Sequence, residues 1–132
     1  MYSLYGTQQI HVYSDKRIIK SSAIGTTNVE EIQWLTEKML GFSKEWNECG
    51  WGYLVGISEM TPVTPEVSAA LVELHKKLEL SGCKGIAFVD PDALVIALQA
   101  KKHQKKSKAS YKEKHFKTEE EAMRWLEKLL SV

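Results

Sequence analysis

Along this chain, short continuous or alternating apolar runs are separated by longer stretches in which apolar residues recur every three or four positions. The clearest exchange lies between Gly52 and Ala100. Gly52–Ser58 reads GYLVGIS, apolar and β-branched enough for a buried strand. Thr64-Pro65-Glu66 follows as an N-cap, a proline at the first helical position and an acid in the first turn. Val67, Leu71, Leu74 and Leu78 then mark one apolar helix face, and Gly82 is a stop signal. Ile86-Ala87-Phe88-Val89 supplies the next strand. Strand, helix and strand together predict a right-handed crossover unit of a parallel sheet.

The flanking segments extend that unit. Residues 1–7 carry Tyr2, Leu4 and Tyr5 and are read as either padding at an edge of the fold or disorder. Ile10, Val12 and Tyr13 begin a strand, Ser14-Asp15-Lys16 makes a turn, and Arg17 to Ala23 returns as the hairpin partner. Asn28 with Glu31 three residues on forms a capping-box pair, so a helix should begin at Val29. Its stripe is Ile32, Leu35, Met39, Phe42 and Trp46, with Gly41 inside the pattern and Trp34 at its flank. After the central unit, Asp90 caps and Pro91 opens a short apolar helix through Ala100. Tyr111 to Phe116 alternates weakly as a last strand. Thr118 and Glu121 then cap a closing helix lined by Ala122, Trp125, Leu126 and Leu129. The predicted order is β-β-α-β-α-β-α-β-α, in a single domain covering residues 1–132.

Composition changes this picture little. The chain has 132 residues, 43% of them apolar and 27% charged, which suits a globular domain with one core. No apolar run approaches the roughly 20 residues that span a bilayer, and the N-terminal stretch lacks the pattern of a secretory signal. With only Cys49 and Cys83 there is no disulfide framework, and free thiols in a cytoplasmic protein are expected.

Charge changes it more. The formal net charge of +1 hides an asymmetry: Lys101 to Lys117 contains eight lysines against Glu113 as its single acid. Lys101, Lys102, Lys105, Lys106 and Lys108 lie in a loop at residues 101–110. They form either a solvated connector or a weak anion-binding surface. Tyr111 is the one aromatic within residues 101–112, with Phe116 close by, so a stacking nucleic-acid groove is not expected.

Several phrases resemble a known superfamily. They are GYLVGIS, the Thr-Pro-Glu-opened helix, the strand GCKGIAFV and the closing stretch His115-Phe116-Lys117-Thr118-Glu119-Glu120-Glu121-Ala122-Met123-Arg124-Trp125-Leu126. They look like the SpoIIAA-like group, related to STAS domains and more distantly similar to lipid-transfer domains of the CRAL-TRIO type. The resemblance covers about residues 8 to 130. It implies an α/β fold with a mixed sheet of four or five strands and helices mostly on one face. In phosphorylatable relatives an Asp-Ser pair precedes the helix after the central strand. Here Val63 stands where the acid would be and Thr64 near the serine, so Thr64 is read as a plain cap with a phosphoswitch as the lesser reading.

No residue set makes a catalytic centre. His11, His75, His103 and His115 form no metal motif, and neither glycine-rich nucleotide loop is present. His75 is expected at a solvent boundary, and in the last strand Phe116 rather than His115 is expected to face the core. Asp90 and Asp92 lie at the carboxyl end of a parallel strand, where ligands gather in open α/β sheets, though capping explains Asp90 equally well. No metal and no cofactor is expected. The leading reading is a non-catalytic protein acting through protein contact, with self-association, at Thr61, Thr64 and Glu66 and at Asp90 and Asp92. The alternative is a binding module for a small apolar or lipid-like ligand in a pocket of Trp34, Trp46, Val95 and Ile96.

Overall fold

Local caps decide where the helices begin. The computed structural model describes residues 2–56, 63–89 and 112–131. Helix α1 spans Val29–Ser43, and the Asn28 side chain accepts the Glu31 N–H at 2.8 Å. Helix α2 spans Pro65–Leu80 behind an extended Thr64, and α3 spans Glu119–Leu130 behind Thr118. Thr118 caps α3 and holds Glu121: its hydroxyl accepts the Glu121 N–H at 3.3 Å and donates to the Glu121 carboxylate at 3.0 Å.

Glu31 departs from the box predicted for it. Its buried carboxylate instead accepts the Thr7 N–H at 2.6 Å and the Thr7 hydroxyl. The acid that should close its own helix therefore ties α1 to a distant turn.

That turn joins two strands. The strands are β1 (Tyr2–Tyr5), β2 (Gln8–Tyr13), β3 (Ile18–Ala23), β4 (Trp51–Gly56), β5 (Cys83–Val89) and β6 (Lys112–Phe116). They form one six-stranded sheet in sequence order. β1, β2 and β3 pair antiparallel, and β3 to β6 pair parallel, each neighbour reached through a crossover. The expectation of four or five strands falls one short. The missing strand is β1, whose four residues are too few to show an apolar period and which is padding at the edge rather than disorder. The predicted helix after Asp90 lies outside the described residues.

The alternation of side chains then builds two cores. Ile10, Val12, Ile19, Trp51, Tyr53, Ile86 and Phe88 face α1 and α2, which bring Ile32, Leu35, Met39, Val67, Leu74 and Leu78. On the opposite face Ile18, Leu54 and Ala87 meet Ala122, Leu126 and Leu130 of α3. Two of the three described helices thus share one face, as the mostly one-sided expectation has it. Helix α3 is clamped to β3 and the turn before it: Lys16 pairs with Glu127 at 2.9 Å, Lys20 pairs with Glu119, and Arg17 donates to the Leu130 carbonyl at 3.2 Å.

Two glycines bear on where the helices end. α1 runs through Gly41 to Ser43 and tightens into a short 3-10 turn at Lys44–Trp46. Gly82 does stop α2: it has φ +91°, and a Cβ there would fall 2.5 Å from the Asn47 carbonyl oxygen.

Candidate functional site

Parallel strands β4 and β5 end side by side, Gly56 opposite Val89, and α2 departs from this end of the sheet. Such carboxyl ends are where open α/β sheets place ligands and contacts. Val63 packs against the main core, which anchors the start of α2. Thr64 has φ −75° and ψ 164°, and its hydroxyl accepts the Val67 N–H at 3.4 Å. Pro65 follows at the first helical position, where its missing N–H has no intrahelical partner to lose. Glu66 places a carboxylate at the positive end of the helix dipole. Thr64, Pro65 and Glu66 are all exposed, so this corner is a rigid polar surface. Thr61, Asp90 and Asp92, the other members of the predicted site, lie outside the described residues.

A cleft of about 250 Å³ opens at the same end of the sheet, on the side that α3 covers. Lys20, Ser22, Gly56, Val89 and Glu119 contribute to its wall, with the Lys20–Glu119 ion pair among them. Sequence reasoning missed this set. Lys20 and Ser22 alternate with buried neighbours on β3, a signal of two faces, but only the parallel register brings them beside Gly56 and Val89.

Of the predicted apolar pocket, Trp34 and Trp46 are the described members. Trp34 is half-buried against the main core and stacks on Tyr5, with ring centres 5.3 Å apart. Trp46 packs against the same core from the 3-10 turn. A second cleft of about 440 Å³ lies between α1 and α2, walled by residues such as Thr36, Leu40, Ala70 and Glu73. Neither tryptophan lines either cleft. Val95, Ile96 and the lysines Lys101, Lys102, Lys105, Lys106 and Lys108 fall outside the described residues.

Two histidines correct the sequence reading. His75 is buried on α2 rather than at a solvent boundary. His115 stacks on Phe88 at 4.8 Å and pairs through Nε2 with Glu113 at 3.2 Å, while Phe116 packs on the α3 side near Trp125. Both residues face packed layers because both faces of the sheet are covered here. Among the described residues no three His, Cys, Asp or Glu side chains are grouped to hold a metal ion. Burial pushes the Cys83 thiol up from 9.0 to about 12, the opposite of an activated nucleophile. The Tyr53 hydroxyl, buried and hydrogen-bonded to Ser21, is raised by the same desolvation. Among the described residues no helix is long and apolar enough to cross a membrane.

No family model matches the chain, and no curated protein matches it. Among solved structures it is similar to an uncharacterized protein from the DUF3478 family with a SpoIIAA-like fold, from Shewanella loihica PV-4. The TM-score is 0.73 over 96% of this chain and 98% of that chain, at 16% sequence identity. The fold is SpoIIAA-like. At that identity the likeness speaks for architecture alone. In this SpoIIAA-like sheet α2 departs from the carboxyl end of the parallel strands, with Thr64 as its exposed N-cap.

Proposed function

We propose that this chain is a non-catalytic protein-contact module that presents the opening turn of α2 to a protein partner. The observation that supports the reading is the exposure of Thr64, Pro65 and Glu66 on a turn whose backbone is already fixed by a cap and a proline. A preorganised polar turn loses little conformational freedom on binding, which favours contact without rearrangement. Thr61, Asp90 and Asp92 belong to the proposed surface on the strength of their sequence positions.

A photo-crosslinker at the exposed position Ala69 tests the proposal, with a second at Lys128 on α3 as the control. The expected result is a discrete protein adduct from position 69 that Glu66→Arg abolishes and that position 128 does not give. Equal labelling from both positions, or an adduct indifferent to Glu66→Arg, would overturn it.

A further inference from the structure

The two edges of the sheet offer different things to another strand. β6 holds Lys112, Glu113, Lys114 and His115 within its five residues, and the Lys114 ammonium lies 5.6 Å from the centre of the Phe116 ring. Charges of this kind blunt an edge against further pairing. β1 reads Tyr-Ser-Leu-Tyr, with no charge and no proline.

Its register shows which backbone groups remain. Tyr5 pairs with Gln8 across the two-residue turn Gly6-Thr7, and Ser3 pairs with Ile10. In such a hairpin the residues flanking the turn exchange both backbone bonds and the pattern then alternates. Ser3 and Tyr5 therefore direct their N–H and C=O groups to β2, while Leu4, opposite Gln9, directs its own away from the sheet.

The edge is held ready in this form. The Tyr5 hydroxyl donates to Glu30 at 2.8 Å, its ring stacks on Trp34, and Glu31 fixes Thr7 in the turn. Leu4 is 60% exposed, on the face that carries Gln9, His11 and Tyr13 instead of the main-core face of Ile10 and Val12. Helix α3 packs on β4 and β5, away from this corner.

We propose that β1 pairs antiparallel with β1 of a second copy of this chain about a two-fold axis, so that the two sheets continue as one. A second copy is the occupant because an isologous contact completes both edges at once. An uncharged strand also meets itself without like charges opposite one another, which β6 would not. Backbone bonds supply the attraction, and Leu4 of each copy is covered in the process. This surface lies at the opposite edge of the sheet from β6 and is separate from the α2 turn, so its failure leaves the reading of that turn untouched.

Sedimentation velocity of the full chain, from about 1 to about 100 μM, reads the association across the micromolar range. The expected species has twice the chain mass at the upper end. Leu4→Lys places like charges across the axis, and Leu4→Pro deletes the outward N–H while sparing the ladder to β2. Both should return the mass to that of one chain with an unchanged circular dichroism spectrum. Hydrogen exchange of the Leu4 amide in the unmodified protein gives a reading that does not depend on how the variants fold: it should slow as concentration rises. A single-chain mass throughout, a dimer that survives both substitutions, or a Leu4 amide indifferent to concentration would each overturn the proposal.

Discussion

Cys49 and Cys83 are identical thiols in different solvents. Cys49 is exposed in the turn before β4, whereas Cys83 is buried at the start of β5. The raised Cys83 thiol has a consequence for stability with a definite sign. An unfolded chain ionises this group from about pH 9, the folded chain only near 12, so the unfolded state is favoured progressively between those values. Below pH 9 the thiol is neutral in both states and has no such effect. Urea midpoints measured from pH 7 to 11 should therefore hold level and then fall, and Cys83→Ala should make that fall shallower, with Tyr53 supplying the remainder above pH 10. In native protein a thiol reagent should label one cysteine quickly and the second only on unfolding. Neither placement was legible in the sequence beyond the bland expectation of free thiols, because burial at a strand start depends on the helix packed above it. Glu31 makes the same point more sharply: Asn28 and Glu31 spell a capping box locally, yet Thr7 captures the acid from 24 positions away.

At the scale of elements, caps and stops were the most legible features, since Asn28, Thr64, Thr118 and Gly82 act on neighbours within a few residues. Glycines divide by what surrounds them. Gly41 has helical neighbours and open space where a Cβ would go, so Gly41→Ala should stabilise the protein by about 0.5–1 kcal/mol. Gly82→Ala should destabilise by more than that, because it combines a left-handed backbone with a clash against Asn47. Chemical denaturation of the two variants should move the midpoint in opposite directions. Strand β1 was not legible, and the reason is physical. Its place is set by Tyr5 on Trp34 and Glu30, partners far along the chain, and not by any period of its own. The candidate site was legible in one half only: Thr64 and Glu66 stand where the pattern put them, while the Lys20, Ser22 and Glu119 cleft depends on strand register.

For the whole molecule, the decisive arrangement is a sheet packed on both faces, with α3 the one described helix on its second side. Leu126 is fully buried there, beside Leu54 and Ala87 and the backbone of Gly52. Removing its side chain leaves a cavity in a small core with few neighbours to collapse into it. Leu126→Ala should cost about 2–5 kcal/mol by equilibrium denaturation, and Leu80→Ala, at an exposed position on α2, should cost little. Strand order in this sheet equals sequence order, so no strand has to be threaded between two that are already paired. On a ribosome, each strand emerging after β2 finds its neighbour already synthesised and adds to a growing edge. The parallel pairs still join residues about 30 positions apart, such as Ile18 and Gly52, which slows the folding of this protein. Its vulnerable interval comes late, when all six strands are out and the face of Ile18, Leu54 and Ala87 still awaits its helix. A nascent chain held at that point would present a sticky apolar surface to chaperones, and the twelve residues of α3 would end the exposure.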